Sequence, residues 1–357
     1  MKRLLAAVLI MLMGGLAMAE IVVSPDSEKI RYMGRVDFTD PKAPRFDWPG
    51  IEISVNFTGS WVDVLLEDGG NDYNVIVDRK HYGVIETQKG VTRYKAVKGL
   101  HHGMHTLSIA KRTEGYDGLA VFRGFVIDEN SVSNMVPEAR PGRILFIGDS
   151  LSVGYGVEGK KVECDSERKY KNNRLSFASV AALELFADYH VIAVSGRGIV
   201  RNYNDPKTVS ERPLPSYFDN VLFNDDKLKW DHKSWQPDEV VVNLGTNDFS
   251  TEPKPSKKDF LTGYNNLIKQ IRKNYPNAYI FCCRGPAQQE PFFEYMEEFF
   301  KKNRDKKLGR IDMAMMGQTD WGCDYHPNIK AAERMAREFL EQRARFLDKQ
   351  PRPKKKK

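Results

Sequence analysis

The sequence predicts a multidomain chain: an N-terminal β-sandwich of the jelly-roll type, followed by a three-layer α/β domain on a parallel sheet. Three observations carry this. From Glu20 to about Asp128 the apolar residues recur at every second position. From Arg143 onward, strand-like runs alternate with helical ones. Between Asn130 and Gly142 a polar, proline-containing stretch separates the two patterns.

The chain of 357 residues opens with Lys2-Arg3, an apolar run from Leu4 to Leu16, and Ala17-Met18-Ala19. That order reads as a secretory leader cleaved after Ala19, so a secreted or periplasmic protein is expected. The run is too short for a comfortable membrane span, and membrane insertion is not expected. The expected divisions are a leader over 1–19, the sandwich over 20–138, the α/β domain over 139–347 and a basic, disordered tail over 348–357. In the first half, Ile51, Ile53, Val55 and Phe57 alternate with Glu52, Ser54 and Asn56. Val62, Val64 and Leu66 follow a Gly59-Ser60 turn; Leu107 and Ile109, then Ala120-Val121-Phe122, continue the pattern. No helical period interrupts these short strands, which favours a sandwich.

In the second half, strands are expected at 143–147, 189–194, 239–244, 278–282 and about 310–315. Helices are expected at 175–187, around Phe260, Tyr264, Leu267, Ile268 and Ile271, and at 329–347 after Pro327. Such alternation places helices on both faces of a parallel sheet.

The formal charge of +7 says little about partners. Lys2 and Arg3 carry two of these charges, and the residues from Asp348 to Lys357 carry a net five. The body between them is neutral, without a basic stripe interleaved with aromatics, so nucleic acid is excluded as a partner. Of the four cysteines, Cys282 and Cys283 are adjacent in an expected strand and point to opposite faces. At most one bridge is expected, to Cys323 from Cys282 or Cys283, with free buried thiols the alternative. His101-His102-x-x-His105 reads as a turn beside Gly99 and Gly103 rather than a metal cluster. No metal and no cofactor are expected, and a monomer is.

The chemistry gathers at strand ends. Ser150 follows the strand 143–147 within Gly148-Asp149-Ser150-Leu151, and Gly196, Asn247 and His326 follow in order. In open α/β sheets, ligands bind at the carboxyl ends of the strands. A serine hydroxyl is a weak nucleophile until a base takes its proton, and His326 titrates near working pH. The tetrahedral oxyanion formed on an ester needs donors aimed at it. The N–H groups of Ser150 and Gly196 and the amide of Asn247 are the candidates. Ser152 stands where a Gly-x-Ser-x-Gly elbow would need glycine, which argues against an α/β-hydrolase.

These four blocks resemble the SGNH (GDSL) hydrolase superfamily. Outside them the chain is similar to carbohydrate esterase family two. The likeness runs through Tyr32-Met33-Gly34-Arg35, Phe46-Asp47-Trp48-Pro49-Gly50, Gly103 to Leu107 and Lys111-Arg112-Thr113-Glu114. It continues through Gly148 to Gly156, Ser195 to Gly198 with Arg201-Asn202-Tyr203, Trp235 to Asp238, Asn243 to Ser250, and Gly322 to Pro327. The resemblance covers almost all of residues 29–345. It implies an N-terminal jelly roll on an SGNH domain, and removal of acetyl groups from acetylxylan or acetylated glucomannan through a serine acyl-enzyme. The implied partner is thus an acetylated plant polysaccharide or oligosaccharide. Val153 and Tyr325 stand where members often carry cysteine and tryptophan. Trp321 and Tyr325 flank the His326 loop as candidate sugar platforms or as ordinary packing.

The third member of a triad is open. SGNH enzymes usually place an aspartate three positions before the histidine, where this chain has Cys323. Asp324 is the candidate partner of His326 if the loop is extended. A backbone carbonyl is the alternative, and Asp320 a more distant one. Two other functions remain in play: an SGNH esterase on other acyl esters, of the lysophospholipase or thioesterase type, and a glycan-binding protein with an inert hydrolase half.

Overall fold

The computed structural model describes residues 19–131, 133–164 and 168–351; the expected leader up to Met18 and the basic tail from Arg352 lie outside the described residues. The N-terminal half forms ten strands: β1 (Glu20–Val23), β2 (Ile30–Met33), β3 (Arg45–Phe46), β4 (Glu52–Thr58), β5 (Trp61–Glu67), β6 (Asp72–Val77), β7 (Lys80–Glu86), β8 (Arg93–Lys98), β9 (Met104–Lys111) and β10 (Ala120–Asp128). They make two antiparallel five-stranded sheets. One runs β1-β10-β5-β8 with β3 also on β10, and the other runs β2-β4-β9-β6-β7. Ile53, Val55 and Phe57 of β4 enter the sandwich core with Val62, Val64 and Leu66 of β5, as the alternation demands.

The intervening residues of β4 do not face water. Glu52, Ser54 and Asn56 are buried as well. Glu52 meets the guanidinium groups of Arg140 (3.0 Å) and Arg174 (3.1 Å), which belong to the connecting segment and the second half. At Glu52 this strand therefore forms a charge-matched seam between the two halves, since a buried carboxylate needs such partners. The Phe46–Gly50 stretch closes the seam elsewhere. Asp47 accepts the N–H groups of Phe223 and Asn224, each at 2.9 Å, and the Trp48 indole donates to the Val221 carbonyl at 2.9 Å.

The second half carries five parallel strands, β11 (Gly142–Gly148), β12 (Ala187–Ala193), β13 (Glu239–Asn243), β14 (Tyr279–Arg284) and β15 (Leu308–Asp312), in the order β12-β11-β13-β14-β15. The helices are α1 (Ser150–Val153), α2 (Phe177–Glu184), α3 (Thr246–Phe249), α4 (Lys257–Asn274), α5 (Phe292–Lys302) and α6 (Ile329–Asp348). One sheet face buries Leu145, Ile147, Val240 and Val242 against α4 and α5; the other buries Ile144, Phe146, Val241 and Phe281 against α2 and α6. Each such side chain contributes roughly 1.5–3 kcal/mol. α4 begins where the Ser256 side chain accepts the Asp259 N–H, and it buries Phe260, Tyr264, Leu267, Ile268 and Ile271. The fold class expected from the sequence is the one observed. Helix α5 was not anticipated, although Phe292, Met296 and Phe299 keep helical spacing on its buried side.

The expected bridge from Cys282 or Cys283 is corrected. Cys323 is joined to Cys164, with a Cα–Cα separation of 5.5 Å, and Cys282 and Cys283 are free and buried. The adjacent pair does point to opposite faces, Cys282 into the α4–α5 core and Cys283 into the α2–α6 core. That places both beneath helices and away from Cys323. Burial pushes the Cys282 thiol up to about 12. His105 is satisfied by Asp78 (2.8 Å) and the His101 carbonyl (3.0 Å). Among the described residues no helix is long and apolar enough to cross a membrane.

Candidate active site

The order β12-β11-β13 puts a topological switch at β11, where chain connections leave in opposite directions. Ser150 is the first residue of α1, directly beyond β11, and Asn247 lies in α3, beyond β13. Gly196 follows β12. A cleft of about 710 Å³ opens there, lined by Ser150, Gly196, Asn247 and His326 together with Trp321 and Tyr325.

Each group is held from behind. The buried carboxylate of Asp149 accepts the Leu151 N–H at 3.1 Å and fixes the turn that presents Ser150; burial pushes its pKa up to about 7. Asp248 is buried and accepts the N–H groups of Ile199 (2.9 Å), Val200 (2.8 Å) and Arg201 (3.0 Å). It thereby braces the loop that follows Gly196. Gly196 has φ +78°, a left-handed conformation that a side chain would strain. The Asn247 side chain donates one N–H to the Arg197 carbonyl at 2.9 Å and keeps a second for the cleft.

His326 Nε2 stands 2.8 Å from Ser150 Oγ. The loop that carries it is tied by the disulfide at Cys323, by the Cys323 N–H on the Gly156 carbonyl (3.0 Å), and by the Gly322 N–H on the His326 carbonyl (2.6 Å). Asn328 then caps α6 through the Ala331 N–H at 3.0 Å. The ring of Tyr155 packs on the His326 imidazole with centroids 4.5 Å apart.

Asp324, the residue expected to orient His326 through its carboxylate, meets the imidazole through its backbone. Nδ1 of His326 meets the backbone carbonyl of Asp324 at 2.6 Å. The extended loop assumed from sequence is absent: Asp324 has φ 52° and Tyr325 φ 56°. That left-handed turn directs the Asp324 carbonyl to the imidazole and brings its carboxylate to 3.4 Å from the Tyr155 hydroxyl. Asp320 is engaged elsewhere, by Arg334 at 2.8 Å.

A carbonyl acceptor fixes the tautomer with hydrogen on Nδ1, leaving Nε2 free to take a proton from Ser150. Burial lowers the pKa of His326, and the Asp324 carbonyl and the nearby Asp324 charge oppose the shift. The base is therefore neutral down to a pH below the ordinary histidine value. Hydrolysis by such a site falls as pH drops through that pKa. Asp324→Asn keeps the carbonyl and removes the charge. Its expected kcat at pH 8 lies within about tenfold of the unaltered chain, with the acid limb of the pH–rate profile moved to lower pH. Wrong-tautomer substitutions cost about 10⁴-fold, so a loss of that size would assign the orienting role to the carboxylate.

Sequence reasoning missed several cleft residues. Tyr203, Gln288, Gln289, Met315 and Met316 line the same space as Ser150. The last four follow β14 and β15, whose carboxyl ends open on the same edge, so the strand-end rule pointed there too. Trp321 is half-buried and Tyr325 exposed on the rim, with ring centroids 6.1 Å apart in an edge-to-face pair.

Comparison with known proteins gives a consistent picture. Residues 32–137 match the model of the carbohydrate esterase 2 N-terminal domain, and residues 146–346 match the GDSL-like lipase/acylhydrolase family. The cellulase/esterase CelE of Acetivibrio thermocellus is 34% identical over 332 residues, which span 89% of this chain and 40% of that protein. An acetylxylan esterase/glucomannan deacetylase of Cellvibrio japonicus is 29% identical, covering 92% of this chain and 95% of its own length. The structure of a family two carbohydrate esterase from Clostridium thermocellum in complex with cellohexaose superposes with a TM-score of 0.83 at 32% identity, over 89% of this chain and 99% of that one.

Proposed function

Because this chain belongs to carbohydrate esterase family two, we propose that it is a serine esterase that removes O-acetyl groups from plant polysaccharides such as acetylxylan and acetylated glucomannan. The observation that carries the proposal is the 2.8 Å contact between Ser150 Oγ and His326 Nε2 at the switch point of the sheet. In this reading Ser150 attacks the acetyl carbonyl, and its proton passes to Nε2. The N–H groups of Ser150 and Gly196 and the Asn247 amide take the oxyanion. The imidazolium returns its proton to the departing sugar hydroxyl, and water, with His326 again as base, frees acetate. No metal or cofactor enters these steps.

Trp321 and Tyr325 offer apolar ring faces at the rim of the cleft, where a sugar ring can stack. The cellohexaose bound by the Clostridium thermocellum relative supports a β-linked glycan as the partner. The leader-like start and the Cys164–Cys323 bridge support export to an oxidising compartment.

The test is acetate release from a panel of acetylated xylan, glucomannan and other glycans, with NMR reporting which position is cleared. Release from the plant glycans is expected. Turnover of 4-nitrophenyl esters that rises with acyl length, with acetylated glycans untouched, would point instead to a lipid or thioester substrate. No turnover of 4-nitrophenyl acetate at all would leave glycan binding as the function.

A further inference from the structure

The loop between β9 and β10 crosses from the sandwich to the other domain. Glu114 lies on it and is 1% exposed. One carboxylate oxygen accepts the Ser195 N–H at 2.7 Å, and the other accepts the Ser195 hydroxyl at 2.9 Å. Ser195 directly precedes Gly196. Two residues past Glu114, Tyr116 sets its ring 5.7 Å from the Arg197 guanidinium. The sandwich thus grips the residues on either side of the glycine.

From these contacts we infer that Glu114 is a positioning residue for the oxyanion-binding N–H of Gly196, and that the sandwich domain thereby completes the active site; the inference rests on the esterase reading above. A glycine at positive φ has no side chain to hold its peptide plane, so its N–H points wherever its neighbours set it. The Gly196 carbonyl is fixed by the Tyr203 N–H at 2.7 Å. The Arg197 carbonyl is fixed by Asn247, and residues 199–201 by Asp248. Ser195 is fixed by a carboxylate from the other domain. Charge-assisted bonds of this kind are about twice as strong as neutral ones, and buried ones hold geometry best.

The charge of Glu114 is balanced where it sits. Lys171 Nζ is 3.1 Å from it and 2.8 Å from Asp117. Burial works against the Lys171 ammonium, yet these two carboxylates hold its pKa above the ordinary lysine value. The pairing offsets a negative charge that would otherwise oppose the oxyanion next to Gly196. Lys171 also lies 5.5 Å from the centroid of the Tyr155 ring, which packs on His326.

The test uses the full chain and 4-nitrophenyl acetate. Displacing reacting groups by about 1 Å can cost 10²-fold, so Glu114→Ala is expected to lower kcat by roughly 10- to 100-fold with KM within about threefold. Glu114→Gln retains an acceptor for the Ser195 N–H and is expected to recover most of that loss. Ser195→Ala removes the hydroxyl bond alone and leaves the Glu114–Lys171 pair intact. For it, a loss of roughly three- to tenfold in kcat is expected at unchanged KM and Tm. A role limited to holding the domains together would lower the Tm of Glu114→Ala and leave kcat alone. Wild-type kcat in folded Glu114→Ala overturns the inference. Should that variant not fold, wild-type kcat in Ser195→Ala overturns it. An unaltered chain that fails to turn over the ester sinks the esterase reading itself, before any variant is compared.

Discussion

Ser150→Ala is expected to abolish acetyl-ester hydrolysis, with kcat falling by ~10⁴-fold or more while the fold persists. Loss of the nucleophile in a unit of this kind removes nearly all of its catalysis, and what remains comes from the oxyanion donors and binding. The variant keeps its structure because the hydroxyl makes little of it. The Ser150 carbonyl still receives the Gly154 N–H at 3.1 Å, and Asp149 still caps the turn. Neither Ser152 nor Ser195 is placed to substitute. Ser152 is fully buried beneath Gly148, and Ser195 is bonded to Glu114. The measurement is kcat for 4-nitrophenyl acetate together with circular dichroism and Tm. A folded variant within tenfold of the unaltered chain would move the nucleophile elsewhere and with it the whole assignment.

The residues that sequence reading placed at the site share one property: each follows a parallel strand or precedes a helix, inside a short block of fixed spacing. Ser150, Gly196 and Asn247 are brought together by sheet order alone, so naming the strands sufficed. His326 needed only the start of α6. What sequence could not give depends on chain far away or on backbone sign. Cys164 reaches Cys323 across 159 residues, and Glu114 reaches Ser195 across 81, through a loop of the other domain. Neither shows any local period. The carbonyl that orients His326 follows from left-handed backbone at Asp324 and Tyr325, which an alternating, extended reading of the loop inverts. The burial of Glu52 on β4 likewise depends on distant chain: Arg140 and Arg174, which cover it, lie 88 and 122 residues away. Of the stretches that carry the family likeness in the first half, Phe46 to Gly50 and Lys111 to Glu114 touch the second half of the chain.

Asn247→Ala separates transition-state stabilisation from substrate binding. The residue is 7% exposed, and its side chain has two N–H groups. The Arg197 carbonyl takes one at 2.9 Å, which fixes the amide plane and aims the other into the cleft beside Ser150. A ground-state ester carbonyl carries little charge, so this donor gains most of its strength as the oxyanion forms. Removing one such donor typically costs about 10²–10³ in kcat. That loss is expected here, with KM changed by less than about threefold in assays on 4-nitrophenyl acetate. Asn247→Asp offers an independent check at constant size. It replaces a donor by acceptors and puts a negative charge where the oxyanion develops, so its kcat should fall at least as far. A change confined to KM in both variants would place Asn247 in ground-state sugar recognition. The oxyanion would then be left to the N–H groups of Ser150 and Gly196, and the setting of Gly196 by Glu114 would carry correspondingly more of the rate.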